Sequence, residues 1–233
     1  MFERDTEDAK QVWLVDADGG HARRISTEPG DHLEPQFSPD GTQIAVGYVA
    51  PEGSTFSDIA VMDPATGDLE ILSDHPNGEI SAVWSPDGTS ILFSMFERIG
   101  YRTYALNPGS GGITRVTDGP GADWNPDPHP TATRLHLIYA SSRDSPYPDA
   151  CNHAPPEPEC EMDIYDFAVG EDPVAITTGP DRDFAPRWSP DGRHVVFARC
   201  KAAGCLQTSL YIVGADGTGL RRLAVGGMPD WTA

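Results

Sequence analysis

One short pattern recurs along this chain and limits what the chain can fold into. An aromatic residue followed by Ser-Pro-Asp-Gly and an alternating apolar run occurs in segments that begin at residues 35, 82 and 186, and a degenerate fourth copy spans 126–141. The anchoring prolines, which are 47, 44 and 60 residues apart, are Pro39, Pro86, Pro130 and Pro190. Repeats of about 40 to 50 residues are typical of propeller blades and similar arrays.

Each copy predicts a β-hairpin followed by two further strands. Phe37, Trp84 or Trp188 ends the first strand, and the proline and glycine of the turn supply a fixed φ and a positive φ. The alternating run predicts the second strand. A third strand such as DIAVMD and a fourth such as LEILS, joined by a turn that contains glycine, complete the repeat.

Four strands connected in simple order form a small sheet that buries both faces only against its neighbours, so the repeat predicts an all-β propeller. We predict one domain over residues 1–233. Four full blades are expected at residues 32–73, 79–117, 123–178 and 183–224.

The two ends of the chain predict a fifth, split blade. Met1–Arg4 repeats the tetrapeptide Met95–Arg98, so the chain begins inside a blade. Residues 1–26 would form most of the split blade, and residues 228–233, with Trp231 at the aromatic position, would add its opening strand. One strand of that blade is missing, so a fragment of a six-bladed propeller is the alternative.

The chain carries a formal net charge of −20 and only two lysines, Lys10 and Lys201. Such a charge repels phosphate groups and anionic lipids, so we expect no nucleic-acid partner and no membrane-surface role. No apolar stretch of about 18 residues occurs, so no membrane insertion is expected. The acidity suits cation binding, a basic protein partner, or simply solubility.

The four cysteines form two local pairs, Cys151 with Cys160 and Cys200 with Cys205. Neither pair has the spacing of a zinc site, so two disulfides are the simplest interpretation. Disulfides imply an oxidising compartment, and we expect a periplasmic or extracellular protein. The N-terminus lacks the apolar core of a signal peptide, so a signal would have been removed or would belong to a longer parent chain. Four free thiols in the cytosol are the alternative.

The aromatic-Ser-Pro-Asp-Gly hairpins, together with strands such as SLYIVG and LRRLA, resemble the repeat of TolB-like (WD-type) β-propellers over nearly the whole chain. The resemblance implies the propeller fold, whereas its functional implications are broad. Such blades serve as interaction scaffolds of the cell envelope, covers of prolyl-oligopeptidase-like proteases and bodies of some polysaccharide lyases. The chain departs from the family in its degenerate copy and in a long insertion around Cys151.

The topology of such blades separates two ends. The loops from strand two to strand three, and from strand four to the next blade, emerge at one end, which we call the loop end. The Ser-Pro-Asp-Gly turns and the glycine-containing turns emerge at the other, the turn end. Both cysteine pairs and the irregular sequence belong to the loop end, so we predict binding there. The disulfides could equally serve only to brace these loops.

Acidic residues recur at the loop end. The residue five positions before each motif aromatic, or its equivalent, is His32, Glu79, Asp123 or Asp183, and Asp31 and Trp124 lie beside them. First strands are innermost in a propeller, so these residues are expected around the mouth of the central channel. Glu79, Asp123 and Asp183 could bind Ca²⁺, or the whole group could bind a basic peptide. Acidic residues are common throughout this chain, so the pattern could also be incidental.

Three arginines, Arg98, Arg143 and Arg199, follow the second strand of successive copies. They could neutralise the acidic residues through ion pairs. Alternatively, they could bind the carboxylate of a ligand such as a uronate.

Sequence motifs for catalysis are missing: the chain has no GxSxG, HExxH or GxxxxGK[ST]. We therefore predict a non-catalytic, exported propeller that binds a protein or peptide partner at the loop end. The alternative is a carbohydrate-active enzyme, a glycoside hydrolase or polysaccharide lyase, that acts on a glycan at the channel mouth, with or without a metal ion. A third possibility is a piece of a larger enzyme.

Overall fold

The computed structural model of the chain describes residues 1–6, 9–51, 56–98, 100–148, 151, 160–201, 205 and 207–231. In that part of the chain the structure is built from 19 β-strands. None of the described residues belongs to a helix long and apolar enough to span a membrane.

The strands form five sheets, and within each sheet the strands that follow one another along the chain pair with each other. Blade 1 has three strands, β1 (Phe2–Asp5), β2 (Lys10–Leu14) and β3 (Arg23–Arg24). Blade 2 has four, β4 (Asp31–Phe37), β5 (Ile44–Val49), β6 (Asp58–Met62) and β7 (Leu69–Ser73). Blade 3 has four, β8 (Glu79–Trp84), β9 (Ile91–Glu97), β10 (Gly100–Asn107) and β11 (Gly112–Arg115).

Two more four-stranded sheets complete the order. Blade 4 consists of β12 (Asp123–Pro128), β13 (His136–Ser141), β14 (Asp163–Ala168) and β15 (Val174–Ala175). Blade 5 consists of β16 (Asp181–Trp188), β17 (His194–Lys201), β18 (Ser209–Gly214) and β19 (Arg221–Val225). The predicted four strands per repeat and the all-β propeller class are confirmed. Residues 228–231 lie outside the strands, so the split fifth blade and the single domain stay predictions.

The Ser-Pro-Asp-Gly turns close as their composition predicts. In the first copy, Ser38 Oγ donates to Asp40 Oδ1 at 2.6 Å, and the backbone N–H of Thr42 donates to the same oxygen at 3.1 Å. Gly41 has a φ of 72°, which a residue with a side chain rarely adopts. Ser85 with Asp87 and Ser189 with Asp191 repeat the contact.

Every first strand of a four-stranded blade contains a bulge that the sequence did not predict. The pairing register shifts at this point in β4, β8, β12 and β16. The bulged residues have positive φ values between 49° and 58° although none is glycine: Glu34, Ser81, Asn125 and Ala185. Bulges bend and twist a strand, so each first strand is bent at the same place.

The chain divides into two compact units, unit 1 (residues 1–95 and 105–114) and unit 2 (residues 96–104 and 115–233). In unit 1, blades 1 and 2 share a core that includes Val12, Ile44 and Ala60. In unit 2, blades 4 and 5 share a core that includes Ile138 and Phe197. Apolar burial between sheets therefore holds neighbouring blades together within each unit.

Candidate functional site

The four residues at the predicted acidic positions all lie at the start of the first strand of a blade or within its first three residues. They are His32 on β4, Glu79 on β8, Asp123 on β12 and Asp183 on β16. At most 1% of each residue is exposed. Burying a charged group is unfavourable unless it is hydrogen-bonded or paired, so their partners determine what these side chains can do.

Glu79 connects blade 3 to blade 2 within unit 1. Its Oε1 accepts a hydrogen bond from Ser73 Oγ at 2.5 Å, and its Oε2 accepts one from the backbone N–H of Ile59 at 3.1 Å. Ser73 ends the fourth strand of blade 2 and Ile59 lies on its third strand. Glu79 therefore fastens two strands of the preceding blade, which is a structural role.

A hydroxyl residue stands six positions before each of the four residues: Ser26, Ser73, Thr117 and Thr177. Thr117 Oγ1 accepts from the N–H of Thr103 at 3.0 Å, and Thr177 Oγ1 accepts from the N–H of Ile164 at 2.9 Å. Burial raises the pKa of both Asp123 and Asp183, and the nearby hydroxyls of Thr117 and Thr177 oppose this shift. Thr177 Oγ1 also donates to Asp163 Oδ1 in its own blade, at 3.4 Å. The six-residue spacing is thus a signal for an inter-blade link, and sequence reasoning overlooked it.

His32 departs from this pattern. Ser26 Oγ accepts from the N–H of Val12 at 3.2 Å and donates to Gln11 Oε1, so it does not serve the imidazole. Neither ring nitrogen of His32 makes a hydrogen bond of normal geometry among the described residues, although the backbone groups of Gly30 and Lys10 are close enough to affect its pKa. Burial lowers the pKa of His32, which keeps the ring neutral, and the ring packs 5.3 Å from that of Tyr48.

Arg199 neutralises Asp183. Its Nε and Nη2 donate to the two carboxylate oxygens at 2.5 and 2.6 Å, a bidentate ion pair. The guanidinium also lies over the rings of Phe197 and Tyr211, at 5.3 and 5.0 Å. We expected Arg199 after the second strand, but it lies within β17, because that strand continues to Lys201.

In blade 4, Arg143 approaches Asp123 as Arg199 approaches Asp183, but it lies two residues beyond the cross-strand partner of Asp123. Asp123 Oδ1 accepts from Ser141 Oγ at 2.6 Å and lies 3.6 Å from Arg143 Nη2. The guanidinium of Arg143 donates to Tyr139 Oη at 2.7 Å and lies over the rings of Tyr139 and Tyr165, at 5.5 and 5.1 Å. Two of the three predicted arginines therefore pair with predicted acidic residues.

Arg98, the third predicted arginine, is exposed in the turn that follows β9. Asp31 and Trp124, predicted beside the acidic positions, have separate surroundings. Asp31 Oδ1 accepts a hydrogen bond from the N–H of Lys10 at 2.7 Å. The Asp31 residue also lines a cavity of about 470 Å³ in unit 1. Trp124 packs edge-on against Tyr101, with ring centres 5.1 Å apart.

Sequence reasoning missed two charged residues at the start of third strands. Asp163 begins β14, and its pKa rises to about 7 through burial and the charge of Asp183. Arg102, near the start of β10, is 1% exposed. It donates to the backbone carbonyls of Gly119 at 2.6 Å and Gly121 at 2.5 Å. A comparison of third strands between repeats would have revealed both residues.

Both predicted disulfides are present, Cys151–Cys160 and Cys200–Cys205. Cys151 and Cys160 are fully buried in the core of blades 4 and 5, and Arg182 Nε donates to the carbonyl of Cys160 at 2.7 Å. The first disulfide is therefore anchored in the fold. Residues 152–159 and 202–204, which the two bridges enclose, lie outside the described residues.

The predicted Ca²⁺ ligands Glu79, Asp123 and Asp183 already have protein partners. Among the described residues, no group of three or more His, Cys, Asp and Glu side chains could hold a metal ion. Asp123 Oδ2 is the one oxygen of these carboxylates without a hydrogen bond in that part of the chain. Metal binding by this set stays a prediction.

Comparison with known proteins identifies the fold. The chain is similar in structure to TolB from Acinetobacter baumannii, with a TM-score of 0.75 and 18% identity over 93% of this chain and 49% of that one. It is also similar to an oligogalacturonate lyase solved in complex with manganese, with a TM-score of 0.56 and 13% identity over 94% of this chain and 60% of that one. The fold is that of TolB-like β-propellers.

A curated relative is an uncharacterized protein, Atu1656, of Agrobacterium fabrum (strain C58), 25% identical over 191 residues. The alignment covers 81% of this chain and 61% of that protein. The chain therefore spans about half the length of the Acinetobacter TolB and less than two thirds of Atu1656. No protein-family model matches the chain.

Proposed function

We propose that this chain is a non-catalytic propeller domain that binds a protein or peptide partner through its loop end. The partner would contact the loops between second and third strands. In the same proposal the protein belongs to the TolB-like (WD-type) repeat proteins and works in the periplasm or outside the cell, where its disulfides would persist.

Exposed aromatic side chains on those loops carry the proposal. Tyr147, between β13 and β14, is 60% exposed, and Phe56, between β5 and β6, is 51% exposed. They are the two most exposed large aromatic residues in the part of the chain that the structure describes. Exposed tyrosine and phenylalanine are favoured at the centres of protein interfaces, where they bury large areas at low entropic cost.

The buried carboxylates support the same proposal because they are already engaged in contacts within the protein. Glu79 holds two strands of blade 2, and Asp183 is bound in a bidentate pair by Arg199. Groups engaged in this way hold the scaffold together, and they leave recognition to the loops. The net charge of −20 favours a partner with a basic surface.

Site-specific photo-crosslinking in cells tests the proposal. A crosslinker at position 147 should capture one defined protein, and the same crosslinker at Val174, which is 66% exposed on the outer strand β15, should not. The purified partner should then bind the wild-type chain in calorimetry, and Tyr147→Ala should weaken binding about tenfold or more. Equal capture at both positions, or binding that Tyr147→Ala leaves unchanged, would contradict the proposal.

One observation favours the second candidate, a carbohydrate-active enzyme. Asp163, with a pKa of about 7, neighbours the Asp183–Arg199 pair, and a carboxyl group that titrates near neutral pH can act as a general acid. The likeness to an oligogalacturonate lyase is consistent with a glycan ligand, with Arg143 and Arg199 as candidates to bind its carboxylates, and with a role for Ca²⁺ or another metal ion.

Activity on oligogalacturonates and a panel of other polysaccharides, with and without Ca²⁺ or Mn²⁺, tests this candidate. Turnover should disappear in Asp163→Asn and in Asp183→Asn while the variants remain folded by circular dichroism. Turnover that persists in both variants, or no turnover by the wild-type chain, would remove the enzyme from consideration.

A further inference from the structure

Two stacked histidines lie between blades 4 and 5, at the turn end. His129 and His136 flank the turn of the degenerate copy, and their rings are nearly parallel, with centres 4.6 Å apart and planes at 7°. Trp188 of blade 5 meets both rings with its edge, at 4.8 and 6.0 Å. The pair therefore forms part of the contact between the two blades.

His129 takes over the turn-closing role that Ser38 and Asp40 share in the first copy. Its Nδ1 accepts a hydrogen bond from the N–H of Thr131 at 3.4 Å. Its Nε2 lies against the backbone of Gly192, so close that a Cβ on that glycine would be 2.5 Å away. Only a neutral imidazole can accept at one nitrogen and donate at the other.

Several charged groups surround this ring. Burial and the neighbouring His136 lower the pKa of His129, whereas Asp166 and the backbone of Gly192 oppose that shift. Asp166 Oδ1 lies 2.5 Å from His136 Nε2. The further charged residues on the adjoining turns are Arg134, Glu171, Asp172, Asp191, Arg193 and His194.

In the corresponding contact between blades 2 and 3, in unit 1, the positions of Asp127 and His129 are held by Gln36 and Ser38, whose side chains do not titrate. There the N–H of Trp84 donates to Gln36 Oε1 at 2.8 Å, and the turn begins at Ser38. In unit 2, the N–H of Trp188 donates to Asp127 Oδ2 at 2.7 Å, and the turn begins at His129. The two contacts therefore differ at two positions, where side chains that do not titrate in unit 1 are replaced by Asp127 and His129 in unit 2.

Asp127 responds to acid in the opposite direction from His129. Burial raises its pKa to about 6, and Arg187 Nε lies 3.8 Å from its Oδ1. A carboxyl group with a raised pKa favours the folded state as the pH falls, because the buried group becomes neutral. Asp127 therefore does not drive an opening of this contact at low pH.

We propose that the turn 129–136 is a proton-sensitive switch that opens when the pH falls from about 7 to about 5. A proton on Nδ1 of His129 replaces an acceptor by a donor that faces the N–H of Thr131, and the resulting imidazolium lies parallel to the ring of His136. The turn then separates from Gly192 and widens the adjoining cavity of about 510 Å³, which is lined by Thr131, His136 and Asp166 among others.

Hydrogen exchange of the whole chain, read at pH 7 and pH 5 and corrected for the intrinsic rate, tests the proposal. The reporter is the amide of His129, which donates to the carbonyl of His136 at 2.8 Å. Its protection should fall about tenfold or more on acidification. The amide of Ser38, which donates to the carbonyl of Gln43 at 2.8 Å in the matching turn, should keep its protection.

Two variants make the test specific. His129→Asn keeps an acceptor and a donor in the turn but does not titrate, so it should abolish the loss of protection. Asp127→Asn should retain that loss. Opening in His129→Asn as in the wild-type chain, equal loss at Ser38, or unchanged protection of the wild-type turn would each overturn the proposal.

Discussion

Glu79 and His32 occupy the same position in successive repeats, yet only Glu79 connects two blades through side-chain hydrogen bonds. Glu79 accepts from Ser73 and from the backbone of Ile59, whereas neither ring nitrogen of His32 makes a hydrogen bond of normal geometry among the described residues. Gln11 explains the difference, because its side chain takes the hydroxyl of Ser26 that would otherwise serve position 32. A repeat position can therefore keep its place and burial while its role in linking blades is transferred to another side chain.

The largest expected effect is the loss of the Glu79 link. Glu79→Ala leaves Ser73 Oγ and the N–H of Ile59 buried without an acceptor, at a cost of about 3 kcal/mol in the free energy of unfolding. Urea denaturation measures the change. Glu79→Gln keeps an acceptor, so its free energy of unfolding should fall clearly less. Equal losses in the two variants would mean that hydrogen bonding does not distinguish Glu79 from His32.

The Asp183 link should come second, because asparagine at this position keeps one oxygen that can still accept a hydrogen bond from Arg199. Asp183→Asn leaves the guanidinium of Arg199 without its bidentate carboxylate, and we expect a loss of about 2 kcal/mol. In the double variant with Arg199→Gln, denaturation should show less than the sum of the two single losses. Additive losses would mean that the pair is not coupled.

Asp163 should make stability depend on pH in one direction. Its folded-state pKa of about 7 lies above the unfolded value of about 3.9, so the native state holds an extra proton between these pH values. The wild-type chain should gain about 1 kcal/mol between pH 8 and pH 6 from this residue, and Asp163→Asn should lack that gain. Denaturation curves at the two pH values provide the measurement, and an identical gain in the variant would exclude Asp163 as its source.

His32 should act in the opposite direction and more weakly. Burial holds its pKa below the unfolded value of about 6.5, so its contribution to stability is present above that pH and is lost as the pH falls. Between pH 7 and pH 5.5 the wild-type chain should lose less than about 1 kcal/mol of its free energy of unfolding through His32, and His32→Gln should lack this loss. Thermal unfolding of both proteins at the two pH values checks this. A larger decrease in stability at low pH in the variant than in the wild-type chain would contradict it.

Much of the fold was predictable because its signals are local. The proline and glycine of each turn, the motif aromatics and the alternating runs lie next to one another in the sequence, and they predicted the strands correctly. The bulges at Glu34, Ser81, Asn125 and Ala185 were not predicted, since none of these residues is glycine and a positive φ at them is imposed by the surrounding sheet.

The candidate site was predictable in position but not in chemistry. Spacing from the aromatic residue located His32, Glu79, Asp123 and Asp183 near the starts of the first strands. Their partners could not be predicted, because they depend on contacts between blades and on the cross-strand register. Asp183 pairs across the sheet with Arg199, whereas Asp123 pairs with Ser141, so Arg143 must reach back from two residues further along.

The inter-blade links also determine where a blade could be added or removed by engineering. One link takes an amide from a third strand, a hydroxyl from the end of the following fourth strand, and a carboxylate from the first strand of the next blade. A cut between two blades would separate the hydroxyl from the carboxylate, although it follows the visible boundary of the sheets. A cut in the loop between a second and a third strand would keep each link whole. The transferable module of this protein is therefore offset from its blade by half a sheet.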